Sequence, residues 1–225
     1  MPVIEIIQGV HAVGGPDITG PNDAFSYLVD IGTELVLIDT GASSDASAIM
    51  NNIREACRRP VRLTHVILTH NHIDHIAGAA DIRRQTSAKI SIHELDAEAV
   101  ITADPERTAA SWYGTALQPL RVDTALQGPG EPFNFGNGSL SWIHTPGHTP
   151  GSISVIFEKD GKTILFGQDI HGPFMPQFNS DVDQWRASMH RLLLLKPDIL
   201  CEGHYGIFKP ADRATAFIED FLNRL

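Results

Sequence analysis

The chain has 225 residues, 42% of them hydrophobic and 20% charged, which predicts a globular protein with a substantial core. Asp and Glu number 27 against 17 Lys and Arg, and the net charge of −10 argues against a broad basic surface for nucleic acid or anionic lipid. The two cysteines exclude a framework of several disulfides and a Cys-rich zinc ribbon, whereas eleven histidines are present.

The first ten residues lack the basic and apolar pattern of a signal peptide. No stretch reaches the roughly 18 uninterrupted apolar residues that a membrane span requires. We therefore expect a cytoplasmic protein without a membrane partner.

Short β-branched runs alternate with amphipathic helical patterns along the chain. Strands are predicted at residues 25–31, 34–38, 64–69, 139–144, 152–157 and 163–166. Helices are predicted at residues 43–58, 76–86, 183–195 and 211–225. The turn at 158–161 carries the Asp and Gly of a hairpin. Because strands and helices interleave in both halves, we expect one α/β domain over residues 1–225, with mixed sheets covered by helices.

The segment from about 93 to 130 is less regular and contains Trp112 and Tyr113. One interpretation is a helical excursion that packs on the core and buries these aromatic rings. The other is a lid-like insertion in which Trp112 or Tyr113 contacts substrate, since long irregular segments often carry binding residues.

Four candidate metal ligands follow the apolar strand that ends near residue 69. They are His70, His72, Asp74 and His75. In an extended segment His70 and His72 point to the same side, while Asp74 and His75 lie at the entrance of the following helix. Imidazole and carboxylate together suit Zn²⁺, Fe or Mn. The cluster therefore predicts a metal site at a strand end.

Three further signals of the same kind occur later in the chain. His148 lies in the tight turn Thr-Pro-Gly-His-Thr-Pro-Gly, Asp169 follows a predicted strand, and His204 follows a short apolar run. Each is weak when it is taken alone, but their joint occurrence and order favour one metal centre.

The His-x-His-x-Asp-His motif resembles that of the metallo-β-lactamase superfamily of metal-dependent hydrolases, and the resemblance covers nearly the whole chain. It implies a four-layer αββα sandwich with two divalent ions at one edge, with zinc favoured and iron or manganese as alternatives. One ion would be held by His70, His72 and His148, the other by Asp74, His75 and His204, with Asp169 as the bridge. Asp39, in Asp-Thr-Gly, would orient the metal ligands.

Two positions near the bridging aspartate are unusual. Gln168 stands where family members often have glycine. His171 is an additional histidine, which either faces solvent or lies close enough to contact substrate. Phe174, in the aromatic segment 172–178, is a candidate for a pocket wall.

The ligand set implies hydrolysis, because two divalent ions can present a shared hydroxide as nucleophile at neutral pH. Asp74 is the candidate that orients this nucleophile and assists proton transfer. Tyr205 is either an oxyanion donor or a ring packed under the ligand loop. The run around His148 resembles that of glyoxalase II-type thioesterases and lactonases, which favours attack on a thioester, lactone or ester.

Other functions stay open. A mononuclear iron enzyme that resembles persulfide dioxygenases would use the same motif. A phosphodiesterase or a non-catalytic metal-binding protein on the same fold are further alternatives. A small-molecule substrate is expected, nucleic acid is not, and a homodimer is compatible with the sequence.

Overall fold

The computed structural model describes residues 3–59, 61–135 and 140–225, and the chain divides into two units between Leu126 and Gln127. Each unit contains a mixed sheet with helices packed against it. Residue 139, at the start of one predicted strand, lies outside the described ranges.

The first unit has seven strands and four helices. They are β1 (Ile4–Ile7), β2 (Val10–Gly14), β3 (Ser26–Asp30), β4 (Leu35–Ile38), α1 (Ser47–Ala56), β5 (Leu63–Ile67), α2 (Ile73–Ile76), α3 (Ala79–Thr86), β6 (Lys89–His93), α4 (Glu94–Thr102) and β7 (Thr124–Leu126). The strands lie in chain order across the sheet, antiparallel from β1 to β4 and parallel from β4 to β7. The carboxyl ends of β4 and β5 therefore lie at the same edge.

Helix α1 of this unit buries one apolar face. In α1 the buried side chains are Ile49, Met50 and Ile53, at the spacing of one helical face. They pack in the same cluster as Leu37 and Val66 from the sheet. The predicted helix 76–86 is divided, because Ala77 and Gly78 separate α2 from α3.

The second unit contains the remaining elements. They are β8 (Gly130–Pro132), β9 (Leu140–His144), β10 (Ile153–Lys159), β11 (Lys162–Gln168), α5 (Val182–Leu194), β12 (Ile199–Glu202), β13 (Gly206–Phe208) and α6 (Ala211–Arg224), with a 3₁₀ turn at Pro176–Phe178. The sheet order is β13-β12-β11-β10-β9-β8, with β11 and β12 parallel and the other neighbouring pairs antiparallel.

The hairpin between β10 and β11 confirms the turn predicted there. Lys159 pairs with Lys162, so the loop is Asp160-Gly161, and both residues have positive φ angles of 51° and 73°. Those angles match the twist of a two-residue hairpin turn. The crossover from β11 to β12 contains α5, whose Trp185 and Met189 lie in one buried cluster with Ile218 of α6.

The predicted insertion at 93–130 contains regular structure. Helix α4 and strand β7 lie within it, and β7 pairs in parallel with β6. The irregular part is bound to the first unit, since Thr108 O accepts a hydrogen bond from Ile73 N at 2.8 Å. Trp112 and Tyr113 are nevertheless 51% and 39% exposed, so the interpretation in which these rings are buried on the core was wrong. A lid function stays a prediction.

Among the residues that the structure describes, no helix combines the length and the apolar character that crossing a bilayer would require.

An ion pair links α3 to the segment that precedes β7. Arg83 binds both oxygens of Asp123, and Asp123 Oδ2 also accepts from Ile90 N at 3.0 Å. The hydrogen bond from Arg83 lowers the pKa of Asp123 below its ordinary value. Because the folded pKa is depressed, this stabilisation is present above the unfolded pKa of about 3.9 and is lost as the pH falls through the folded pKa.

We expect Asp123→Asn to lower the free energy of unfolding by about 1–3 kcal/mol at pH 7, because it removes a charged acceptor from a partly buried pair. The difference from wild type should shrink below about pH 4. Urea denaturation at several pH values measures it. Asp220→Asn, which breaks the exposed pair with Arg224, is the control and should cost less than about 0.5 kcal/mol. An equal cost for the two variants would contradict this prediction.

Candidate metal centre

A buried carboxylate holds the histidine-rich loop of the first unit. Asp39 follows β4 and has a φ of 57°. Its Oδ1 accepts from Thr69 N at 2.8 Å, and its Oδ2 accepts from Thr69 Oγ1 at 2.7 Å. The Nδ1 atom of His75 lies 2.7 Å from the same Oδ2. Asp39 thereby ties both ends of the loop to β4.

This contact orients the ring of His75. Since an ionised carboxylate only accepts hydrogen bonds, Nδ1 of His75 is the protonated nitrogen, and Nε2 carries the lone pair that a metal requires. His75 Nε2 lies 3.9 Å from Asp74 Oδ2. Thr40 also binds the backbone of His75, with its Oγ1 donating to His75 O at 3.0 Å. The ring is thus fixed by its side chain and by its backbone.

His70 and His72 converge with His75 in this loop. All three rings are buried. The ring centroid of His70 lies 4.7 Å from that of His72 and 4.2 Å from that of His75. One ligand atom of His70 and one of His72 lie within 4.8 Å of each other. The structure therefore brings together the donors that the sequence motif places in this loop.

The second unit holds His148 in a turn after β9. Its Nδ1 donates to Pro173 O at 3.0 Å, and Ser180 Oγ donates to His148 O at 2.7 Å. The preceding Gly147 has a φ of 138° and lies so close to Trp185 that an added Cβ would be 2.4 Å from its backbone. Glycine is required here because no residue with a Cβ atom fits.

Asp169 lies between two imidazoles of the second unit. Its Oδ2 is 3.3 Å from His148 Nε2, and its Oδ1 is 3.4 Å from His204 Nε2. The side chain of Asp169 is only 5% exposed. The preceding Gln168 is buried with a φ of 48°, a left-handed conformation that glycine adopts without cost. The strained residue thus stands directly before this carboxylate.

Sequence reasoning assigned no role to Glu202, which anchors the end of the second unit's ligand set. Glu202 is fully buried, and its Oε2 accepts from His204 N at 2.7 Å and from Tyr205 N at 2.8 Å. Its Oε1 lies 2.8 Å from His171 Nδ1. A carboxylate at the end of an apolar strand, two residues before a ligand histidine, was the signal that could have identified it.

His171 does not simply face solvent. One of its ring nitrogens lies within 4.8 Å of ligand atoms of Asp169 and His204. Its ring also lies edge-on to His204, with centroids 5.0 Å apart.

Two candidate substrate contacts, Phe174 and Tyr205, lie against other aromatic rings. Phe174 lies against Trp185, with ring centroids 5.2 Å apart, and its ring is 6.4 Å from that of His148. Tyr205 is 58% exposed and its ring contacts those of Phe217 and Phe221, so it is not packed under the ligand loop.

The chemistry of the donors fits a divalent metal. Within the first unit, imidazoles and one carboxylate lie on one loop. Within the second unit, two imidazoles face different oxygens of one carboxylate. These are the ligand types that Zn²⁺, Fe and Mn accept. The Nδ1 atoms of His75 and His148 are tied to protein oxygens, as is usual for metal-binding histidines.

The close approach at Gly147 gives a test of the turn that carries His148. We expect Gly147→Ala to destabilise the protein by about 2–4 kcal/mol, because a Cβ at positive φ would also collide with the backbone of Trp185. The displaced turn should also lower metal content. Thermal denaturation and elemental analysis measure the two effects.

Gly32→Ala is the control, because Gly32 also has a positive φ of 95° but an added Cβ there would meet nothing within 4 Å. It should cost about 1 kcal/mol and leave the metal content unchanged. Equal stability and metal content in the two variants would refute the steric explanation.

Comparison with known proteins places the chain in a family. The family model of the metallo-beta-lactamase superfamily matches residues 19–204. The probable metallo-hydrolase YflN of Bacillus subtilis (strain 168) is 28% identical over 98% of this chain and 92% of its own length. A hydroxyacylglutathione hydrolase of Acidiphilium cryptum (strain JF-5) is 33% identical over 82% of this chain and 66% of its own length.

Solved structures share the fold. A B3 metallo-beta-lactamase with an active-site glutamic acid superposes with a TM-score of 0.79 over 100% of this chain and 88% of its own, at 24% identity. The metallo-beta-lactamase GOB-18 of Elizabethkingia meningoseptica gives a TM-score of 0.77 over 100% and 89%, at 20% identity. The predicted αββα fold class is thereby confirmed. Together with the family model, which spans most of the chain, these matches show that the protein belongs to the metallo-β-lactamase superfamily of divalent-metal-binding metallo-hydrolases.

Proposed function

We propose that the protein is a dinuclear hydrolase that cleaves an activated acyl bond of a small molecule, namely a thioester, lactone or ester. The observation that carries the dinuclear proposal is the position of Asp169. Its two carboxylate oxygens face different imidazoles, His148 at 3.3 Å and His204 at 3.4 Å. A carboxylate in that position is suited to bind two ions at once.

The proposed ligand sets follow the family motif. One ion would be held by His70, His72 and His148 and the other by Asp74, His75 and His204, and Asp169 would contribute to both. Zinc is the proposed ion, because imidazole and carboxylate are its common ligands in hydrolases. Iron and manganese accept the same donors.

When bound, such ions lower the pKa of a coordinated water toward about 7 and polarise the substrate carbonyl. The side chains of the chain position the reactants. Asp74 is buried beside His75, which suits it to orient the attacking water and to carry a proton toward the leaving group. Tyr205 follows His204 and is exposed, so we propose its hydroxyl as a donor to the developing oxyanion.

The acyl specificity is supported by similarity rather than by a contact. The relative from Acidiphilium cryptum is named a hydroxyacylglutathione hydrolase, and an acyl glutathione is a thioester. Phe174 lies near His148 and is the proposed apolar wall for the acyl group. Trp112 and Tyr113 are exposed aromatic candidates for contacts with the rest of the substrate.

Ligand variants test the proposed centre. We expect His72→Ala and Asp169→Ala each to lose at least one ion per chain and almost all activity, because each removes a donor. Elemental analysis of purified protein measures the ions.

His190→Ala is the matched control, since His190 is exposed on α5, and it should keep its metal. We expect His93→Ala also to keep its metal, although buried His93 is the N-cap of α4 and its loss should lower stability. Full metal content in both His72→Ala and Asp169→Ala would show that the ligand assignment is wrong.

A substrate screen tests the chemistry. The protein loaded with two equivalents of zinc should hydrolyse at least one of a panel of thioesters, lactones and esters faster than it hydrolyses phosphodiesters. Addition of a chelator should abolish the activity, and added zinc should restore it. Release of thiol or acid follows the reaction.

The alternatives predict different results. One iron per chain together with oxygen consumption on a persulfide would replace the hydrolase proposal with a dioxygenase. Failure of the fully metallated protein on every substrate would favour a non-catalytic metal-binding protein.

A further inference from the structure

We infer that His171 is an additional metal ligand, which joins Asp169 and His204 and is oriented by the buried carboxylate of Glu202. This inference rests on the proposed function in one respect, namely that Asp169 and His204 bind an ion. The family motif does not contain His171, which lies two residues beyond Asp169.

The first observation is proximity. One ring nitrogen of His171 and ligand atoms of Asp169 and His204 all lie within 4.8 Å of one another. All three residues belong to the second unit. Three donors at such separations can bind one ion.

The second observation concerns which nitrogen of the His171 ring carries the hydrogen. Glu202 is fully buried, and its Oε2 accepts hydrogen bonds from the backbone N–H groups of His204 and Tyr205. Its Oε1 lies 2.8 Å from His171 Nδ1. Since an ionised carboxylate has no proton to donate, Nδ1 carries the hydrogen, and Nε2 is left with the lone pair that coordinates a metal.

The same arrangement occurs at two of the proposed ligands. His75 Nδ1 lies 2.7 Å from Asp39 Oδ2, and His148 Nδ1 donates to Pro173 O at 3.0 Å. In each case an acceptor on Nδ1 leaves Nε2 for a metal. His171 shares this chemistry, which a histidine on open surface would not need.

The third observation is the enclosure of the ring. His171 lies edge-on to His204, and its other neighbours are the rings of Tyr205 and Phe221, with centroids 5.1 Å and 6.2 Å away. Its side chain is 17% exposed. The aromatic neighbours limit rotation of the ring, so the Glu202 contact fixes its direction.

Metal titration of the apo-protein tests this inference. Zn²⁺ is titrated against a chromophoric chelator into wild type, His171→Ala, Glu202→Gln and the double variant, after circular dichroism has shown that each is folded. We expect His171→Ala to weaken the binding of one ion at least tenfold. X-ray absorption at the zinc edge should show fewer imidazole ligands per metal than in wild type.

Glu202→Gln tests the orienting role. The single amide oxygen of Gln would accept from the two backbone N–H groups, and its NH₂ would then face His171 Nδ1. The ring would shift its proton to Nε2 and lose its metal-binding lone pair. Affinity should fall about 10–100-fold, the usual effect of removing a hydrogen-bond partner of a ligand.

The double variant distinguishes an effect of Glu202 through His171 from an effect through the backbone of His204. If Glu202 acts through His171, the double variant should bind zinc no more weakly than His171→Ala does. A further loss would show that Glu202 acts on the His204 backbone instead, and would overturn its assigned role. If Glu202→Gln does not fold, His171→Ala alone decides whether His171 is a ligand.

His65→Ala is the matched control, because His65 also faces a carboxylate, Glu34 at 3.4 Å, and belongs to no group of metal donors among the described residues. It should bind zinc as wild type does. Affinity within twofold of wild type for His171→Ala, with an unchanged imidazole count, would overturn the inference. Failure of the proposed function looks different, because wild type itself would then bind no zinc or would be insensitive to Asp169→Ala.

Discussion

The histidine-rich loop of the first unit depends on the hydrogen bonds of the buried Asp39 carboxylate. A buried charge is unfavourable unless hydrogen bonds compensate it, and here Thr69 supplies two of them and His75 lies within reach of a third. None of these groups can move without leaving a buried charge partly unsatisfied. The loop is therefore held in place before any ion arrives, and a metal gains affinity from donors that need little reordering.

The second unit uses the same physical arrangement with different residues. Glu202 ends β12 as Asp39 follows β4, and each carboxylate lies within hydrogen-bond distance of the Nδ1 atom of one histidine. Asp39 also accepts from one backbone N–H group, and Glu202 accepts from two. The backbone is also strained near each carboxylate, since Asp39 itself and Gln168, which pairs with Glu202 in the sheet, have positive φ angles. Such strain persists only where surrounding contacts determine the conformation, and it is typical of functional sites.

The sequence predicted what depends on local pattern. Alternation placed His70 and His72 on one side, and Asp160-Gly161 predicted the hairpin. It could not predict the contact of Glu202 with His171, because 31 residues separate them and the parallel register of β11 and β12 brings them together. The sequence also left open whether Trp112 is buried or exposed, since burial depends on where the segment packs.

The crossover between β11 and β12 affects how the second unit folds. Asp169 and His204 follow neighbouring parallel strands, and the chain between those strands forms α5. The two donors therefore meet only after the crossover has closed and its non-local strand pairing has formed, which is slow compared with local helix formation. An ion that needs both donors cannot nucleate this process. Metal binding should therefore lower the unfolding rate, so that the metal lengthens the lifetime of the folded unit without accelerating its formation.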